Sequence, residues 1–438
     1  MDYLPCRFQH TWRLCLSLAL ALLFLSLAWI TIAQAQQPGD LDPTFNNGTG
    51  IVTTTITGYD GGFGMTIQPD GKIVVVGLSS SEFAIIRYTP DGSRDATFNN
   101  TGIVTTLLGG SWAWDVALQS DGRILVAGEE YEGGNADFVV TRYTISGSLD
   151  MTFNDTGIVT TDLGALYDFG HAIAIQQNSE IVVAGESYQT YPETNRSIGV
   201  VRYDNDGNRD TTFNTTGIVT TSVGEGSAGH SVAIQPDGKI VVAGSDDNNI
   251  AVVRYTITGS LDTGFNGTGI VTAANGSGGS VAIQTDNKIV VVGGTGGATG
   301  DFILLRYNED GSPDNTFNDD GVVTTTLSPH GDFALSVVIQ SDAKIVVAGY
   351  SDFINSQLGN FAIVRYNPDG SLDTSFHRSG IVTTSISNGE DVACSVAIQP
   401  DDGKIVAAGY SCGTDACAFA VARYVVTGST YLPVVLKE

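Results

Sequence analysis

The stretch Tyr143–Thr161, "YTISGSLDMTFNDTGIVTT", returns almost unchanged as "YTITGSLDTGFNGTGIVT" from Tyr255. In both, an Asp-x-x-Phe step follows a Gly-Ser turn and precedes a β-branched run. The phenylalanine of that step recurs at Phe45, Phe98, Phe153, Phe213, Phe265, Phe317 and Phe376, at intervals of 52 to 60 residues. Seven copies at such a period mean stacked or radial units. Each unit holds four short runs rich in Val, Ile, Thr and Tyr, bounded by turn residues. In the fourth unit they are 231–235, 239–244, 250–255 and 269–272, and "PDG" joins the first two as a hairpin. No helical periodicity follows residue 35. Four antiparallel strands repeated seven times predict an all-β chain, a seven-bladed β-propeller of four-stranded blades. A parallel β-helix is the alternative, but its turns are shorter and lack hairpin punctuation.

The ends of the chain carry their own expectation. The first unit opens with a fourth-type strand, "GIVTTT" at 50–55, and the last ends with a third-type strand, "FAVARY" at 419–424. The N-terminal strand is therefore expected to complete the last blade and remove two exposed edges. Every third strand ends in Arg-Tyr, and in six units an Asp lies eight residues on; Arg423 has Tyr431 there instead. "GDLD" at 39–42 aligns with the "GSLD" of the other turns. Asp42 is thus expected to pair with Arg423, and Phe45 to fill the core slot of the last blade. An Arg–Asp fork repeated around the units reads as bracing, not chemistry.

Residues 1–35 read as an export signal: Arg7 and Arg13 precede the apolar run Cys15–Ala33, with small residues at Ala33 and Ala35 before a cleavage point. The run is also long enough to span a bilayer if retained. The propeller is assigned to 36–430 and a short tail to 431–438. The whole chain carries −27; the leader's two Arg and Asp2 carry +1, so the mature chain stands at −28. Such a body repels phosphate backbones and anionic lipid heads, which disfavours nucleic acid and membrane surfaces as partners. Cys394, Cys412 and Cys417 remain after the leader, and Cys412 with Cys417 could close a small loop in an oxidising compartment. No cofactor and no metal are expected. "DNDGNRD" (204–210) and "EEYEGGNAD" (129–137) are acidic, but the equivalent turns lack the early acids of a cation loop.

The order "LDTSFHRSGIVTT…VAIQPDDGKIVAAG…FAVARY" resembles the delta-60 repeat, a bacterial propeller-type repeat, over residues 39–430. "QQNSEI" and "QTDNKI" depart from it by losing the hairpin Gly, and Asn178 and Asn287 are expected to take the left-handed position. The resemblance implies a fold and an exported setting, and no known reaction.

A site is expected on the face whose connectors vary. The second and third units supply Trp112, Trp114, Tyr131, Tyr167, Phe169, Tyr188 and Tyr191 there, while the fourth and fifth supply "SVGEGSAG", "SDDNN", "AANGSGG" and "GTGGATG", with no aromatic. Aromatic faces stack on sugar rings or anchor peptides. Trp114, like Phe63, also suits a role filling the gap between blades. Asp115 is aligned with His171 at the channel mouth, beside His230, with His330 in a later connector. Glu129 and Asp168 are further carboxylates within reach, though no spacing marks a catalytic pair. These features favour an exported, monomeric recognition module for a polysaccharide or surface protein. A carbohydrate-active hydrolase or lyase and a passive surface component are the alternatives.

Overall fold

Strands come in quartets. In the second unit they are Trp112–Leu118, Ile124–Glu132, Asn135–Tyr143 and Ile158–Thr161, each antiparallel to the next. The first, third, fourth, fifth and sixth units repeat this order. The last unit has Glu390–Ile398, Ile405–Cys412 and Cys417–Tyr424, and its fourth strand is Ile51–Thr54 from the other end of the chain, registered Ile51 to Ala422 and Thr54 to Phe419. The second and third quartets are also joined by one parallel bridge, Tyr167 to Ala136. The arrangement is that of a β-propeller. The computed structural model describes residues 35–189, 195–224, 226–273, 275–297, 299–353, 359–427 and 429–430. Apart from Ala35, the leader and the 431–438 tail fall outside them. Pro38–Val426 form one compact unit, and Ala35–Gln36 pairs with Ser429–Thr430 in a separate one. Among the described residues no helix is long and apolar enough to cross a membrane.

The second and third strands of each quartet are buried on both faces, which explains their continuous apolar runs. Core clusters form between neighbouring sheets. One joins Met65, Ile73 and Val75 of the first to Val406, Phe419 and Val421 of the last, with Phe45 among them. The Tyr of an Arg-Tyr pair crosses such a seam in six units, as where Tyr88 donates to Thr54 Oγ1 at 2.8 Å and Tyr255 to Thr221 Oγ1 at 2.8 Å; Tyr307 lacks the bond because Ala273 stands in place of the Thr.

The repeated polar residues form one device. Arg87 is buried, donates from Nε to Asp95 Oδ2 (2.8 Å), lies over the Phe98 ring (4.5 Å), and reaches the next unit's turn at Ile145 O (2.6 Å). Arg423 does the same with Asp42 (2.6 Å), Phe45 (4.7 Å) and Pro90 O. The turn glycine completes the joint: Gly92 has φ +88°, and a Cβ there would lie 2.8 Å from the Phe45 ring, so only glycine fits. In the hairpins that lack Gly, the left-handed residues are Ser179 (φ 70°), Asn287 (φ 64°) and Ala343 (φ 66°). Asn178 is not the left-handed residue; its Oδ1 accepts from Glu180 N, one step outside the turn apex.

Candidate functional site

Besides one further slip in the sixth quartet, between Gly331 and Phe333, each quartet's first strand slips register at one equivalent position against its neighbour. The slips lie between Gly62 and Gly64, Ala113 and Asp115, Gly170 and Ala172, Gly229 and Ser231, Gly278 and Ser280, Ala334 and Ser336, and Ala393 and Ser395. A bulge leaves one residue unpaired and re-aims its side chain. The seven skipped residues are Phe63, Trp114, His171, His230, Gly279, Leu335 and Cys394. All seven line one cavity of about 390 Å³, together with Ser277, Gly278 and Phe333. The small residue before each bulge is there for packing: a Cβ on Gly62 would lie 2.7 Å from Gly409 O of the adjoining sheet.

The ring is uneven. Gly279 leaves one side open, and a Cβ there would lie 2.4 Å from Ala334 O. The opposite side carries a chain of touching rings. Tyr410 meets Phe63 edge-on, Phe63 stacks on Trp112 and lies 4.7 Å from Trp114, and Trp114 meets His171 edge-on at 5.5 Å. His171 stacks on Phe169, Phe169 on Tyr167, and Tyr167 lies 6.2 Å from Tyr131. Trp112 and Tyr131 are 36% and 40% exposed. A second cavity of about 290 Å³ adjoins the chain, between Phe63, Trp112, Tyr410, Tyr59 and the Cys412–Cys417 disulfide.

Under the rings lie ionisable groups. Trp114 Nε1 donates to Glu129 Oε2. Burial pushes the Glu129 carboxyl up to about 8, with the Glu186 charge adding to it against the Trp114 bond. Glu186 receives Arg196 Nε at 2.6 Å and sits 3.9 Å from His171 Nε2. Burial holds the His171 ring below its ordinary value despite Glu186, and its Nδ1 meets Gly229 O at 3.1 Å. His230 Nδ1 meets Gly278 O at 2.7 Å, and the two imidazoles are 5.9 Å apart. Each histidine thus spends one nitrogen bracing the next sheet. Burial also pushes the Cys394 thiol up to about 12, which makes it a poor nucleophile.

Several expected placements need correction. Trp114, not Asp115, occupies the position of His171. Asp115 is one residue on and turned inward, where Oδ2 accepts from Ile173 N (3.0 Å) and Oδ1 from Val116 N (2.8 Å). The equivalent Ser231 and Ser336 hydroxyls accept from Val281 N and Val396 N in the same way, so Asp115 is an inter-sheet clamp. Burial pushes its carboxyl up to about 6 against those two N–H bonds. Tyr188 is not a surface residue; it is 6% exposed beneath Tyr167 and Phe169. Asp168 is fully buried and caps its own connector through Leu163 N (2.7 Å). His330 pairs with Asp352 in a connector and does not line the cavity. Asp204 of "DNDGNRD" accepts from Asp206 N and Asn208 N of its own turn. Tyr191 lies outside the described residues. Phe63 was named only as a gap-filler; with Leu335, Cys394, Gly279 and Tyr410 it belongs to the site. The signal that finds the bulge residues is position: each lies five residues before the Gln that follows its strand and comes after a Gly or Ala.

Six segments, 68–98, 119–153, 176–213, 235–265, 284–317 and 340–376, match the family described as "Domain of unknown function (DUF5122) beta-propeller". No curated protein matches the chain. Among solved structures, the virginiamycin B lyase of Staphylococcus aureus is 11% identical, with a TM-score of 0.48, over 85% of this chain and 98% of that one. A polysaccharide lyase of family PL25, an ulvan lyase, is 10% identical with a TM-score of 0.45, over 87% and 98%. An α-L-arabinofuranosidase of Fusarium graminearum is 12% identical with a TM-score of 0.42, over 70% and 91%. At these identities and scores their activities say nothing about this chain.

Proposed function

We propose that the chain is an exported recognition module that binds a polysaccharide across one mouth of its propeller. The observation that carries this reading is the unbroken row of rings from Tyr410 to Tyr131 beside the cavity of bulged residues. Trp112 and Tyr131, exposed rings of that row, suit contact with sugar faces, and Gly279 leaves room on the far side. We further infer that the units are delta-60-type repeats making seven blades closed into a ring. The pairing of Ile51–Thr54 with the last sheet and the core shared by first and last sheets support that closure. Export rests on the leader of residues 1–35 and agrees with the Cys412–Cys417 disulfide.

A glycan array of bacterial and plant polysaccharides, probed with the mature protein, tests the reading. Binding should be saturable and fall at least tenfold in the double variant Trp112→Ala, Tyr131→Ala, whose side chains are exposed enough to remove without unfolding. No hit on the array, or a hit that survives both substitutions, overturns it. A second reading, a hydrolase or lyase at the same mouth, is favoured by one observation. Glu129 keeps its proton at neutral pH, as a general acid must. Release of shorter saccharides from a bound polysaccharide, lost in Glu129→Gln, would replace recognition by catalysis.

A further inference from the structure

Four units cap the connector into their first strand with a buried aspartate. Asp60, Asp332 and Asp391 each take a backbone N–H on Oδ2, from Ile56, Leu327 and Ile386. Each also takes a hydroxyl on Oδ1: Thr57 at 3.0 Å, Ser328 at 2.8 Å and Ser387 at 3.0 Å. Asp168 keeps the first bond, from Leu163 N, but Gly164 stands where the others have the hydroxyl. Its Oδ1 is buried with no hydrogen-bond partner among the described residues, and the residue is fully inaccessible. The connector brings another carboxylate instead. Asp162 stands where the sixth and seventh units have Thr326 and Ser385.

Asp137, on the strand Asn135–Tyr143, meets this pair from the neighbouring sheet. One carboxylate oxygen from each of Asp137, Asp162 and Asp168 lies within 4.8 Å of the others. That is the separation of two oxygens on opposite sides of an ion held at about 2.4 Å, an ordinary calcium–oxygen distance. Among the described residues none of the three is ion-paired to a Lys, Arg or His. Asn135 adds a second orphan: its Nδ2 donates to Asp137 Oδ1 at 3.0 Å, while its own buried Oδ1 has no partner among the described residues. Two buried acceptors without donors, beside three clustered carboxylates, lack only a positive charge.

We propose that Asp137, Asp162 and Asp168 hold a divalent cation of the calcium class, with the Asn135 amide oxygen as a further ligand. An all-oxygen set of carboxylates and an amide suits a hard ion. Its irregular geometry, drawn from two sheets and a connector, suits calcium over the strict octahedron of magnesium. The ion would sit beside a parallel bridge between sheets, Tyr167 to Ala136, and so hold the connector that presents Tyr167. It goes beyond recognition and stands against the expectation that the acidic stretch 129–137 binds no structural metal.

Isothermal titration of calcium into chelator-treated mature protein tests this. One site with a dissociation constant on the order of 10⁻⁴ M is expected, the range of extracellular modules, with a melting temperature raised by calcium. Asp162→Asn, at an exposed position, and Asp137→Asn should each weaken binding at least tenfold with the circular dichroism unchanged. Asp204→Asn, in the self-capped "DNDGNRD" turn, should leave it intact. Absence of binding at 10 mM calcium, binding untouched by Asp162→Asn and Asp137→Asn, or loss in Asp204→Asn each overturns the site. Magnesium competing at equal concentration overturns the choice of calcium.

Discussion

Asp42→Ala tests closure of the unit more sharply than any other single change. Asp42 is 1% exposed and Arg423 4%. The carboxylate takes Arg423 Nε at 2.6 Å, Lys404 Nζ at 3.0 Å, and both the N–H and hydroxyl of Thr44 at 2.8–2.9 Å. Removing it strands a buried guanidinium that keeps only Gln399, Thr44 and a backbone carbonyl. Losing one partner of a buried pair costs about 3–5 kcal/mol. For a unit of this size that is a fall of about 4–6 °C in melting temperature. Asp95→Ala breaks the same fork inside one unit, eight residues apart, and should cost a similar amount. The difference lies in where the loss is felt. Asp42 ties the two ends of the chain 381 residues apart, so its loss should free the strand Ile51–Thr54 from the last sheet. Urea unfolding gives the stability, and hydrogen exchange locates the opening. Exchange at Ile51–Thr54 should rise in Asp42→Ala and stay slow in Asp95→Ala. The reasoning fails if Asp42→Ala lies within about 1 kcal/mol of the parent, or if those amides exchange alike in both variants.

Further outcomes follow from the same contacts. The fork carboxylates Asp42, Asp95, Asp150, Asp210, Asp262, Asp314 and Asp373 all titrate below the ordinary 3.8; burial opposes this, and hydroxyl, N–H and guanidinium partners outweigh it. Their contribution is complete above pH 3.8 and is lost as pH falls through the lower folded values, so urea midpoints should drop steeply below about pH 4. Glu129 has the opposite sign: raised from 4.5 to about 8, it favours folding least once the pH passes 8, so Glu129→Gln should match the parent at pH 4.5 and be more stable at pH 9. Because Glu129 accepts from Trp114, tryptophan emission should titrate near pH 8 in the parent and not in Glu129→Gln. Cys412→Ser opens a loop of only a few residues, so by chain entropy it should cost about 2 kcal/mol, read as a small shift in the urea midpoint.

The fold was legible because its defining residues are written once per unit. Arg87, Asp95, Phe98 and Gly92 each do one job, and each has counterparts at fixed offsets, so their spacing exposes the joint even without a structure. Turn chemistry was less legible. In "QQNSEI" the asparagine looked like the left-handed residue, yet the hairpin places Ser179 there. Propensity favours Asn for that backbone, but the register of the flanking strands decides which residue occupies it, and register is a property of the pair.

The site was harder to read for a related reason. Aligning Asp115 with His171 slips by one residue, since Asp115 lies four places before its Gln and His171 five; the bulge position holds Trp114 instead. A bulge has no residue type of its own. Its trace is a small residue followed by an arbitrary one, five places before a Gln, and the arbitrary one is where the units differ most: Phe63, Trp114, His171, His230, Gly279, Leu335 and Cys394. The repeat thus keeps the backbone device constant and varies what it points at the cavity. That separates the two kinds of substitution. Changes at Asp42 or Arg423 act on the frame and should move stability. Exchanging Leu335 for Trp, on the bare side of the mouth, adds surface the strand already aims into open space, so it should leave the urea midpoint within about 1 kcal/mol while changing which glycans the protein retains. A Leu335→Trp variant that unfolds early, or whose binding profile matches the parent, would show that the bulge ring is packing and not a reading head.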